Sequence, residues 1–321
     1  MADVRVLDRR GFLATGAAAA AGLLAAQRPI RAADGPVVVI VRDKTQKVIV
    51  DNTVDAPIVA KLVDAAVMKL AGKDDVAKAW GVYVSPKDKV AIKFNGLFAR
   101  ATTHAEVVAA VTSGLVKAGV DPANIVIYDR DERAFTTAGV KLNREGAAPR
   151  AFPTAQDLGP SVKAGPVETK LSNLVLKADV LINLPIMKTH VLAGVSGALK
   201  NHLGTVPNAS AFHRDTCQFI ADLCALEPIK AKTRICICDA LYGLFDKGPQ
   251  FNPACRWDYY GIIASVDPVA MDAVLADILK AKRVEKGLPP YHKDIAHITR
   301  AGELGIGVAD LAKITRAEVE V

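Results

Sequence analysis

Aromatic residues and cysteines are scarce in this chain. Only 5% of its 321 residues are Phe, Trp or Tyr, and no Lys/Arg-rich tract interleaves with them, so the composition excludes a dedicated nucleic-acid surface. The five cysteines, Cys217, Cys224, Cys236, Cys238 and Cys255, contain no CxxC. That removes the zinc-ribbon and ferredoxin-type spacings, and with them the motif for an iron–sulfur cluster. Cys236 and Cys238 share a face if their run is a strand, and Cys217 and Cys224 share a face on a helix. Buried packing thiols are the expectation, with one disulfide as the alternative in an oxidising compartment. No run reaches the roughly 20 apolar residues that span a bilayer. No repeat, low-complexity tract or clear linker divides the chain, which argues for a single domain.

What is present begins with a leader. Asp8-Arg9-Arg10-Gly11-Phe12-Leu13 precedes a weakly apolar Ala/Gly stretch, the pattern of a twin-arginine export signal. Residues 1–33 are therefore expected to be removed and 34–321 to fold, with the twin-arginine export machinery as a partner and the periplasm as the destination. The leader holds five Arg against Asp3 and Asp8, so its loss lowers the formal charge from +7 to about +4. Because this route carries folded proteins, often with a cofactor already loaded, it leaves a bound cofactor open without identifying one.

Beyond the leader, β-branched runs at 37–41, 89–95, 124–129, 178–185, 233–240 and 261–267 alternate with helical spacing at 56–80, 104–118, 171–177, 215–226 and 268–282. The alternation predicts an α/β fold with a mostly parallel, doubly wound sheet flanked by helices, and an irregular insertion at 140–170. Polar residues recur where these strands end: Lys93 and Asn95, Asp129 and Arg130, Asn183, Asp239, and Asp267. In open α/β sheets the ligand crevice lies beyond the carboxyl ends of the strands, so these residues are expected to border one site. Helix capping is the competing role for each Asp, most plainly for Asp267 before Pro268.

The segment PIMKTHVLAGVSGALKNHLG, residues 185–204, leaves the third of these strands with an unusual density of donors. Its second half reads as a short helix, with Ser196 as N-cap, Ala198 to Leu203 as body and Gly204 as stop. A helix start backed by Lys188 and Lys200 suits a phosphate or carboxylate. The expected ligand is a small anion, with Lys93, Asn95, Asp129, Asn183, Ser196, Lys200, Asn201, Asp239 and Asp267 around it. Lys188, His190 and His202 are the catalytic candidates. A metal ion is left open at His104, His190 and His202, whose spacing matches no compact motif. Gly194-Val195-Ser196-Gly197 misses the G-x-S-x-G elbow by one position, which weighs against a Ser196 nucleophile. His213, His292 and His297 read as ordinary histidines.

Several runs, VAIKFNG, TTHAEVVAAVTSGLVKAGV, NIVIYDR, ADVLINLPIMKTHVLAGVSGALKNHLGTVPN, ICDALYG and SVDPVAMDAVLADILKAKR, together resemble the DUF362 family. This is a set of proteins of undefined function that often carry twin-arginine signals. The resemblance covers nearly all of 34–321 and implies a fold but no reaction. Some members carry ferredoxin-type cysteine motifs that are missing here. The order of strands and helices, with a Lys before Gly-x-Ser-Gly and Asn-His, is similar to the lactate racemase N-terminal domain. That similarity implies Lys188 as the lysine anchoring a nickel-pincer cofactor, His202 as a metal ligand and His104 near the acid/base position. The readings carried forward are an exported enzyme acting on a small anion, a non-catalytic periplasmic binding or assembly protein, and a metal-dependent racemase- or epimerase-like enzyme.

Overall fold

The computed structural model describes residues 35–291 and 293–321. The expected leader, residues 1–33, and His292 lie outside the described residues.

Among the described residues, ten strands form the main sheet. They are β1 (Val37–Arg42), β2 (Val90–Phe94), β3 (Ile125–Tyr128), β4 (Arg150–Ala151), β5 (Val180–Leu184), β6 (Ile186–His190), β7 (Gly194–Ser196), β8 (Thr233–Leu244), β9 (Arg256–Ser265) and β10 (Thr315–Glu320). The order is β10-β1-β9-β8-β5-β2-β3-β4, with β6 paired to the far end of β8 and β7 paired to β6. Every neighbour along that path is parallel except β9, which runs against both β1 and β8. The fold is thus a mostly parallel α/β sheet flanked by helices in a single domain.

Side-chain alternation splits the core in two. Val90, Ile92, Phe94, Ile182 and Leu184 face one side, covered by α1 (Ala56–Ala71) and α2 (Ala105–Lys117). Ala91, Leu181, Cys236 and Cys238 face the other, covered by α5 (Ile220–Ala225), α6 (Pro268–Glu285) and α7 (Ala296–Glu303). Two shorter helices, α3 (Glu132–Ala138) and α4 (Ala198–Asn201), sit near the carboxyl ends of the parallel strands. All five cysteines are buried and free.

The structure departs from sequence expectation in places. The helix expected over 56–80 breaks at Gly72, whose left-handed backbone ends α1 before a separate turn at Val76–Trp80. The region 140–170, expected to be irregular, contains edge strand β4 and most of an antiparallel hairpin of Leu158–Ala164 with Val167–Ser172. Edge strand β4 is only two residues long and the first hairpin strand is interrupted by Gly159 and Pro160, which hides the strand pattern in this region. Residues 186–196, to which the sequence patterns assign no strand, form the β6–β7 hairpin, with Lys188 opposite Ser196.

Candidate functional site

Parity on the strands decides which polar residues meet. Lys93 on β2 lies in register with Asn183 on β5, both on the face that carries Ala91 and Leu181. Asp239 follows the other parity, with Ile237 and Leu241, and points to the opposite face. There its carboxylate accepts the backbone N–H and the ring Nδ1–H of His104, each at 2.7 Å, pinning the start of α2. Asp267 follows β9, the strand that runs the other way, so it lies at the opposite end of the strands. It caps α6, accepting from Val269 and Ala270 N–H at 2.9 Å each. Asp239 and Asp267 are therefore structural anchors here, not crevice residues, because face and strand direction both matter and the sequence showed neither.

The expected helix-start anion site also needs correction. The N-cap of α4 is Gly197, not Ser196, and the helix is one turn long before it tightens at His202–Thr205. Its first free N–H groups are taken: Asp272, fully buried on α6, accepts from Ala198 N–H at 2.6 Å and from Leu199 N–H at 2.9 Å. Burial raises the Asp272 carboxyl to about 7, against the pull of those two donors. A side chain at position 197 would place Cβ 2.1 Å from Asp272 Oδ1, so only Gly allows this closeness.

What remains is a cavity of about 400 Å³ at the carboxyl ends of β2 and β3 and beside β6. Asn95, Asp129, Lys188, His190, Ser196, Lys200 and Asn201 line it. Lys93, Asn183 and His202 lie beneath its wall. Lys93 Nζ is 2.8 Å from Asp129 Oδ1, and that carboxylate also accepts from Gly96 and Arg130 N–H. The pair fits only because residue 204 is Gly, where a Cβ would fall 2.2 Å from Lys93 Cε and 2.4 Å from Asp129 Oδ1.

A directional chain of hydrogen bonds runs under the cavity. Lys188 Nζ donates to Asn95 Oδ1 at 3.1 Å and Asn95 Nδ2 to Asn201 Oδ1 at 3.2 Å. Asn201 Nδ2 donates in turn to Asn183 Oδ1 at 2.7 Å, and Asn183 Nδ2 reaches His202 Nε2 at 3.2 Å. Each amide is thereby fixed in orientation, and His202 receives a proton donor at Nε2. Its Nδ1 is buried without a partner, and burial holds the ring neutral, near 3.

Lys188 is 1% exposed, also donates to the Ala101 carbonyl at 2.6 Å and lies over the Phe98 ring. Burial, with Lys200 next in effect, lowers it to about 7. Lys200 is half-buried and lowered by burial to about 8. Among the described residues neither lysine has a carboxylate within ion-pair distance. The cavity's own carboxylates are committed, Asp129 to Lys93 and Asp131 to Arg130.

His213, set aside in the sequence as ordinary, comes to the same cavity from a turn at Ala209–His213 and stacks on His190, ring centroids 5.4 Å apart. No signal in the sequence marked it, because 22 residues and several short elements separate the pair. His190 Nδ1 accepts from Leu192 and Ala193 N–H, so its ring proton sits on Nε2. His213 Nδ1 lies 3.1 Å from the Ala209 carbonyl and donates to it, leaving Nε2 as an acceptor. Burial and Lys200 hold His190 at about 2 and His213 at about 4, so both rings are neutral near pH 7.

The DUF362 profile, described as a domain of unknown function, matches residues 90–277, more than half of the chain and every residue of this cavity. The chain belongs to the DUF362 family. No curated protein matches it. Among solved structures, a Thermotoga maritima protein is similar at 14% identity and TM-score 0.42, over 73% of this chain and 60% of that one. The lactate racemase apoprotein of Thermoanaerobacterium thermosaccharolyticum is similar at 10% identity and TM-score 0.38, over 72% of this chain and 54% of that one. The DUF362 chain thus spans about 60% or less of either structure's length. Of the positions that the lactate racemase resemblance implied, only Lys188 lines the cavity in this member: His202 is tied to Asn183 and His104 to Asp239.

Proposed function

We propose that this DUF362 protein is an exported enzyme that binds a small carboxylate or phosphate against Lys188 and Lys200 and moves a proton between it and the His190–His213 pair. The observation that carries the reading is the pair of buried or half-buried lysines with no carboxylate partner, set in the same cavity as two neutral imidazoles of opposite tautomer. An uncompensated cation in a closed site is stabilised by an incoming anion. His213 Nε2 then serves as base, and His190 Nε2–H serves as donor to the developing charge.

The chemistry of the lining favours an anion over a bare cation. Lys188, Lys200 and Arg130 beside neutral imidazoles give its lining a positive balance. Lys188 at 1% and His190 at 5% exposure, inside a concave site, favour a ligand over a flat partner surface.

The test is hydrogen exchange. Mixed small carboxylic acids and phosphate esters are incubated with the protein in D₂O and read by mass spectrometry. Deuterium incorporation that is lost in His213→Gln, while binding by calorimetry persists, supports the enzyme. Binding with no incorporation into any compound leaves a non-catalytic binding protein, and absence of both overturns the reading.

A further inference from the structure

We infer that the ligand of this cavity is amphiphilic, with an anionic head on Lys188 and Lys200 and an apolar tail lying along Leu97, Phe98, Val191 and Leu192; the inference rests on the anion-site reading above. Folding normally hides large apolar side chains, yet Leu97 is 39% exposed, Val191 46% and Leu192 48%, and all three converge on this one cavity. Chance placement of scattered surface residues does not gather them at the mouth of a site whose depth is cationic.

The backbone holds the exposure in place. Val191 and Leu192 form the tip of the β6–β7 hairpin. Val191 N–H donates to the Gly248 carbonyl at 2.9 Å, and Leu192 and Ala193 N–H donate to His190 Nδ1 at 3.2 and 3.3 Å. With every tip N–H engaged and Ala193 fully buried, the hairpin cannot roll its two apolar side chains inward. The same bonds set the tautomer of His190, so the apolar lip and the reacting ring are one rigid unit. A volume of about 400 Å³ lies within the range that encloses a ligand larger than a bare inorganic anion. An all-polar ligand would leave this rim wet, whereas a hydrocarbon tail covers it and places its head beside Lys188.

The experiment compares one head group at two tail lengths by calorimetry at pH 7: methyl phosphate with octyl phosphate, and acetate with octanoate, with uncharged octanol as control. Each buried methylene tightens binding by roughly fourfold, the equivalent of about 0.8 kcal/mol. With half of the added methylenes covered by the rim, octyl phosphate therefore binds roughly a hundredfold tighter than methyl phosphate and octanoate roughly sixtyfold tighter than acetate. The double variant Val191→Ser/Leu192→Ser, checked for native circular dichroism, is expected to lose tenfold or more of the long-chain affinity and to keep the methyl phosphate affinity. Lys200→Met is expected to weaken both lengths together. Which of the two heads binds tells a phosphate ester from a carboxylate. Equal affinity for short and long tails, with Lys200→Met still weakening both, overturns the tail and leaves the anion site standing. Octanol binding as tightly as the charged octyl compounds, or a serine pair without effect, also overturns it. Failure of every anion to bind, at either length, sinks the anion-site reading itself.

Discussion

Lys188 and Lys200 carry the electrostatics of the site, and their protonation gives the ligand a pH signature. Both are lowered from the ordinary lysine value, to about 7 and about 8. An anion binds the protonated form, so affinity is greatest below pH 7 and falls as the pH rises through 7 and 8. The fall approaches tenfold per pH unit for each lysine that must take up a proton. Calorimetry between pH 6 and 9 should show this decline, shallower in Lys200→Met than in the wild type. His297 makes a contrasting case. It is fully buried on α7, with both ring nitrogens unpartnered. Replacing an unsatisfied buried polar side chain with an apolar one of similar size removes a desolvation cost, so His297→Leu is expected to raise stability by about 1–3 kcal/mol in urea unfolding. A loss of that size would mean that His297 has a partner in solution.

Among the elements, α4 depends most on its neighbours. Four residues make too short a helix to persist alone, and Asp272 on α6 holds its start through two N–H bonds. Gly197→Ala would drive Cβ into that carboxylate, strand two buried donors and cost about 1–3 kcal/mol, measured by thermal or urea unfolding. Asp272 also contributes a pH dependence of its own. Its folded pKa, about 7, is raised above the ordinary 3.8, so the folded state binds more protons between those values. Its contribution is present below about pH 4 and is lost as the pH rises to 7. In Asp272→Asn this component disappears, visible as the difference between wild-type and variant urea midpoints at pH 5 and pH 7.5.

At the scale of the whole molecule the histidines dominate acid stability. His190, His202, His213 and His297 are lowered by burial to about 2, 3, 4 and 3. The unfolded chain therefore takes up protons below pH 6.5 that the folded chain refuses. Stability falls as the pH drops from about 6.5 toward 3, by up to about 1.4 kcal/mol per pH unit for each ring. The four histidines outweigh the opposite trend of Asp272, so the urea midpoint is expected to be lower at pH 4.5 than at pH 7. A midpoint that rises on acidification would show these rings to be charged in the folded protein.

The sequence by itself determined the α/β class, the positions of the central strands along the chain and the concentration of donors after β5, because strand and helix periodicities are local and polar residues at strand ends are visible along the chain. Lys93, Asn95, Asp129, Lys188, His190, Ser196, Lys200 and Asn201 could be picked out for that reason. Only the tertiary structure decided which of these share a space. Asp239 left the group through strand parity, Asp267 through the reversed direction of β9, and the helix-start amides through a carboxylate some seventy residues away. His213 joined it through a fold-back between elements that no local pattern records. Local interactions are written in spacing along the chain, whereas the pairing of β9, the reach of Asp272 and the stacking of His213 depend on packing between distant segments, which spacing does not encode.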